Sequence, residues 1–186
     1  MSIAAAFAAD KEAPFKAAPA ASYVHHQTND KVTIGVDPYF SGDKIKTAFG
    51  KLNPYQYGIL PVLVVIQNDG DQTIRLDRLK AEYVGPNGDR IEATPAKEVK
   101  YANGPNRPKV MPTPIGGVAL KGKKSPLDVW EIEGRALAAQ MLPVGQTASG
   151  FLYFQTGLHS TATIYLNGLV EAATDKELLF FEIPLR

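Results

Sequence analysis

Ile59–Val84, ILPVLVVIQNDGDQTIRLDRLKAEYV, is the stretch whose reading decides the fold. It joins an aliphatic run, an Asn-Asp-Gly-Asp turn and two further strand-like segments. Successive side chains of a strand point to opposite faces, so Val62, Val64 and Ile66 share one face and Leu63 and Val65 the other. Both faces are apolar, which predicts a central strand buried on each side. Asn68-Asp69-Gly70-Asp71 carries the chemistry of a tight reversal, with Thr73–Leu76 as the return strand. Leu79–Val84 and Arg90–Ala93 then flank Gly85-Pro86-Asn87-Gly88-Asp89, a second hairpin, and two adjacent hairpins make a meander.

Upstream, Ser22–Gln27 and Lys31–Asp37 are rich in β-branched and aromatic residues and read as a first hairpin turning at Thr28-Asn29-Asp30. A short helix is predicted over about 43–49, with Ile45, Ala48 and Phe49 on one face and Gly50 at the C-terminal cap. Downstream, Gln146–Gln155, Thr161–Leu166 and Glu177–Ile183 read as strands. Phe151–Phe154 and Leu178–Ile183 are apolar on both faces, like the central strand. An exposed sheet face would alternate with polar residues, so something covers these strands. The expected cover is a helix over about 125–141 together with the 94–124 insertion, with a partner subunit as the alternative. Ser125 would cap the helix, Pro126 would open it, and Leu127, Trp130, Gly134, Leu137 and Met141 recur three and four residues apart.

The fold class that follows is mainly β, an antiparallel β-sandwich with one covering helix and one short helix. The 186 residues, 45% of them hydrophobic, suffice for one domain with its own core. Residues 22–186 form that domain, with a long insertion at 94–124 where prolines and glycines crowd and periodicity fades. Residues 1–21 read as a truncated leader followed by an Ala/Pro-rich tether, because Ala6-Phe7-Ala8 has the small-x-small pattern of a cleavage site. That pattern predicts export to the periplasm or the extracellular space.

Composition narrows the function classes. With 20 Lys+Arg against 19 Asp+Glu the formal net charge is +1, which speaks against a field built for nucleic acid or an anionic membrane. No apolar run reaches the roughly 18 residues of a membrane-spanning helix. Cysteine is absent, so disulfides, thiolate metal sites and thiol nucleophiles are excluded.

Few motifs carry chemistry. Gly117–Ser125 approaches a phosphate-binding loop, but the hydroxyl stands one place late and Pro112 and Pro114 replace the buried strand such a loop follows. It reads as a solvated basic loop in which Arg107, Lys109, Lys121, Lys123 and Lys124 form a local patch for an anionic partner. His25 and His26 point to opposite faces of a strand and cannot share a metal; His159 lies in a turn. Asn68-Asp69-Gly70-Asp71, Asp77 and Asn87-Gly88-Asp89 offer oxygen ligands without the ordered spacing of a calcium loop. No metal and no cofactor is expected. Tyr39, Phe40, Tyr55 and Tyr57 cluster around the first helix, and Tyr39, Tyr55 and Tyr57 are candidates for stacking on a ligand or anchoring a partner.

The strand segments LPVLVVIQNDGD, IRLDRLKAEYVGPNGDRIEA, LPVGQTASGFLYF and ELLFFEIPL together resemble exported bacterial immunoglobulin-like domains, over roughly residues 60–93 and 142–183. The resemblance implies a β-sandwich and residence in the envelope or outside the cell; it brings no catalytic residue with it. The functional expectation is an exported, non-enzymatic binding or assembly module acting through a sheet face or the 94–124 loop, with a protein or envelope component as partner. The alternatives are a carbohydrate-active or other hydrolytic accessory domain built on an aromatic and carboxylate cleft, and a structural subunit of a surface assembly.

Overall fold

A computed structural model describes residues 15–102 and 125–185. The chain forms eleven strands among these residues, arranged in three antiparallel sheets.

The first sheet has the order β1-β2-β3-β8, from β1 (His25–Asn29), β2 (Val32–Pro38), β3 (Leu60–Asn68) and β8 (Thr147–Phe154). β3 is central and buried on both faces, as its aliphatic run requires. Val62, Val64 and Ile66 join the inner core, and Leu63 and Val65 the outer one, so the alternation read from sequence is the alternation observed. β1 and β2 turn at Asp30-Lys31 rather than at Thr28-Asn29-Asp30, with φ of 47° and 61° at the two residues. Two positive φ values are what a two-residue hairpin of matching twist demands.

The second sheet has the order β11-β9-β5-β6, built from β5 (Lys80–Val84), β6 (Arg90–Glu92), β9 (Thr163–Asn167) and β11 (Phe181–Pro184). Between the two sheets lies the inner core, including Ile34, Val64, Tyr83, Phe154, Ile164 and Phe181. A small third sheet, β10-β4-β7, joins β4 (Ile74–Arg75), β7 (Met141–Leu142) and β10 (Val170–Glu171). Its buried Ile74 and Leu142 belong to the same core.

The expected meander does not form. After β3 the chain leaves the first sheet instead of pairing back on it. The reason is Asn68, a fully buried polar residue. Its side chain donates to the carbonyls of Gln72 (2.8 Å) and Leu142 (3.0 Å) and accepts the Gly70 N–H (3.0 Å). A turn held this way from within directs the following residues to the third sheet. The second hairpin, β5–β6, forms as read, but in the opposite sheet.

The outer face of the first sheet is covered by the chain itself, with the predicted helix segment supplying only part of that cover. α1 (Gly42–Phe49) lays Ile45, Ala48 and Phe49 on Leu63, Val65, Phe151 and Tyr153. Ala20, Val99, Leu127 and Ile132 complete the cover, from the 3-10 turns Ala20–Ser22 and Ala96–Tyr101 and the segment after residue 125. Phe151 sits centrally, with the rings of Phe49 and Tyr39 at 4.8 and 4.9 Å.

The helix predicted over 125–141 is a correction. Only α2 (Trp130–Gly134) is helical there. Ser125 makes a turn, its hydroxyl accepting the Leu127 N–H, and Asp128 pairs with Lys100 at 3.3 Å. Residues 135–137 then leave helical geometry to bond the free edge of β8, and Met141 is in a strand. A glycine at 134 weakens the helix by about 1 kcal/mol, and so short a helix has little propensity of its own to oppose strand pairing. Trp130, expected as the cover, is 67% exposed. Leu178–Ile183 also departs from expectation, since Leu179 and Phe180 are exposed and only β11 itself enters the sheet.

The beginning of the 94–124 insertion is packed rather than a free loop: the Thr94 N–H donates to the Tyr153 carbonyl at 2.7 Å, and Val99 is fully buried. No helix among the described residues is long and apolar enough to cross a membrane.

Candidate functional site

The free edge of β8 is where the molecule departs from a plain two-sheet body. Arg135–Leu137 runs alongside it in parallel: the Phe151 N–H donates to the Arg135 carbonyl (2.8 Å) and the Leu137 N–H to the Phe151 carbonyl (3.1 Å). This strap needs Gly150. A Cβ there would stand 2.4 Å from both the N and Cα of Leu137. Phe151 turns its backbone groups outward to the strap, so Ser149, two residues earlier on the same strand, turns its N–H and C=O to the same edge. At Ser149, however, the strap has already bent away into α2.

The space left by that bend is a cavity of about 310 Å³ lined by Phe15, Trp130, Gly134, Arg135, Ser149 and Gly150. The Arg135 guanidinium lies between two aromatic rings, 5.6 Å from the Phe15 centroid and 5.8 Å from that of Trp130. Each contact of this kind contributes on the order of 0.5–2 kcal/mol and holds the planar group in place. Its Nε is buried and has no hydrogen-bond partner. Among the described residues no carboxylate pairs with it, although most arginines so placed would find one. Gly134 makes the arrangement possible, because a Cβ there would meet the Trp130 ring at 2.8 Å.

Beneath the strap, Tyr153 donates its hydroxyl to the Ile132 carbonyl at 2.7 Å, and burial raises its pKa well above the usual phenol range. Burial likewise raises Tyr39, with a further contribution from the Asp37 carboxylate. These phenols are neutral structural groups. A second cavity, about 260 Å³, lies between Arg78, Lys80, Gly168, Asp175 and Glu177. Its two acids are already engaged, Asp175 by Arg75 at 2.8 Å and Glu177 by the Gly168 N–H at 3.2 Å.

The tyrosines singled out from sequence differ in their surroundings. Tyr39 is buried in the outer core against Phe151, with the Lys44 ammonium over its ring. The Tyr55 hydroxyl accepts the Leu158 N–H at 3.3 Å, and the half-buried ring packs between both cores. Tyr57 is 39% exposed at the end of a 3-10 turn. None of the three lines either described cavity. Arg107, Lys109, Lys121, Lys123 and Lys124 lie outside the described residues, as does the leader-like segment through residue 14. His26 donates from Nδ1 to the Tyr23 carbonyl at 2.7 Å, and no group of three His, Cys, Asp or Glu residues suited to a metal occurs among the described residues.

Arg135 was not legible as a site residue. In sequence it is one cation between two positions of a helix-like stripe, and its exposure to a cavity depends on residues 135–137 pairing with a strand that begins ten residues later. Trp130 stands out in the sequence, but as part of the apolar cover.

The fold and the cavity define a β-sandwich domain with an aromatic and cationic recess at one sheet edge. No family model matches the chain, and no curated protein matches it. Among solved structures it is similar to a "putative lipoprotein" of Bacillus subtilis, with a TM-score of 0.39 and 11% identity over 86% of this chain. The match spans 38% of that protein, so the chain corresponds to well under half of its length. A functionally unknown protein from Listeria monocytogenes is also similar, with a TM-score of 0.36 and 10% identity over 87% of this chain and 81% of that one.

Proposed function

We propose that the protein is an exported, non-enzymatic binding module that engages its ligand at the recess under Trp130 and Arg135. The observation that carries this reading is an arginine in contact with two rings, with a buried Nε and no carboxylate partner among the described residues, at the wall of a cavity large enough for a small ligand. Export rests on the Ala6-Phe7-Ala8 pattern. The kinship with immunoglobulin-like domains is part of the proposal, and the pairing of β3 with β8 in one sheet and of β5 with β9 and β9 with β11 in the other supports it.

A sheet face is the weaker choice of docking surface. The outer face of the first sheet is occupied by the chain's own segments, and that of the second carries polar groups, such as the Arg90–Glu82 pair at 2.6 Å beside Tyr165. A carbohydrate-active or hydrolytic reading asks for Tyr39, Tyr55 and Tyr57 around one carboxylate in a cleft, and none of the three lines either described cavity. The experiment is fragment screening against isotope-labelled protein by NMR. Shifts clustering at residues 130–136 and 149–151, with the fragments recovered unchanged, are expected. Shifts clustering on the outer face of the second sheet, or chemical turnover of the bound fragments, would contradict the reading.

A further inference from the structure

We propose that the recess selects a carboxylate carried on an apolar or peptidic chain, with Arg135 as the carboxylate-binding residue, Trp130 and Phe15 as the apolar walls, and the strand-edge N–H and C=O of Ser149 as the contacts for a neighbouring amide. The inference deepens the binding-module reading and rests on it.

Three observations converge. The guanidinium is a planar fork matched to a carboxylate, and it lies over the rings of both Phe15 and Trp130, which restricts where it can swing. Its backbone is fixed as well, since the Arg135 carbonyl is bonded to β8. The second observation is electrostatic: Arg135 keeps a buried Nε without a partner and has no ion pair among the described residues, so an incoming anion meets a cation that is partly stripped of water and not yet neutralised. The third is the strand edge. Ser149 faces the recess at the point where the strap has diverged, leaving one donor and one acceptor at the spacing an extended chain uses. A phosphate would use the arginine but has no use for the apolar walls. A neutral ligand would leave the guanidinium as it is.

The chain contains one tryptophan, and it is in the wall of the recess, so its emission reports occupancy directly. The probes are acetyl-alanyl-alanyl-phenylalanine with a free terminal carboxylate, the same peptide as its terminal amide, and phenylacetate. The acid is expected to bind at least tenfold more tightly than the amide. In Arg135→Gln that ratio should fall to near one, and Arg135→Lys should restore part of it; unchanged thermal unfolding shows that each variant is folded. Binding of phenylacetate as tight as that of the peptide acid identifies a small carboxylate as the ligand source, whereas a clear advantage of the peptide identifies a chain terminus; either supports the selection of a carboxylate. Equal binding of acid and amide, or a ratio that survives Arg135→Gln, would overturn it. Neutral fragments that perturb residues 130–136 without any preference for carboxylates would end this inference and leave the binding-module reading standing. If no probe or fragment perturbs those residues, both fail.

Discussion

Asn68 shows how one polar side chain redirects a fold. It satisfies three backbone groups from a fully buried position, and those bonds send the chain out of the first sheet. Asn68→Leu keeps a similar volume but takes the Asn68 bond from one buried carbonyl and from a part-buried carbonyl and N–H, so a loss of about 2–4 kcal/mol in urea unfolding is expected. The buried phenols make a second prediction at this scale. Tyr39, Tyr83 and Tyr153 all have pKa values raised in the folded state, chiefly by burial. A raised folded pKa means that their contribution is fully present below the unfolded value, about 10, and is lost as pH climbs above it. Melting temperatures should therefore hold between pH 7 and 9 and fall steeply from about pH 10 upward, and Tyr153→Phe should soften that fall.

At the scale of elements, the strands were legible and the cover was not. The parity of Val62, Leu63, Val64, Val65 and Ile66 sorts each residue to its correct core, because a strand's alternation is a local property. The same holds for α1, whose cap and apolar face lie within eight residues. Leu127, Trp130, Gly134, Leu137 and Met141 have an equally good helical spacing, yet the edge of β8 competes for residues 135–137 and wins. No local pattern reports that competition. The candidate site was hidden for the same reason, since Arg135 meets Phe15, Trp130 and Ser149 only after the strap has formed. Gly150 is the residue that permits it. Gly150→Ala forces the Leu137 backbone away from β8 and should cost about 1–3 kcal/mol. Trp130 emission should shift in the same variant, because its ring is positioned by the strap; an unchanged spectrum at unchanged stability would mean that the strap is not held by this contact.

For the whole molecule, the decisive point is that the first sheet is covered on its outer face by short pieces drawn from distant parts of the chain: Ala20, α1, Val99, Leu127 and Ile132. Both cores are closed without a partner, and Trp130 is left outside them, free to serve as the wall of a recess. That assignment separates two neighbouring residues of α2 and can be read from one comparison. Urea unfolding of Trp130→Ala and Ile132→Ala tests it most directly. Trp130→Ala should cost no more than about 1 kcal/mol, the worth of one exposed cation–π contact, and Ile132→Ala should cost about 2–5 kcal/mol, as for a buried side chain. The reverse order, with the tryptophan variant the more damaged, would put Trp130 in the cover and contradict the account.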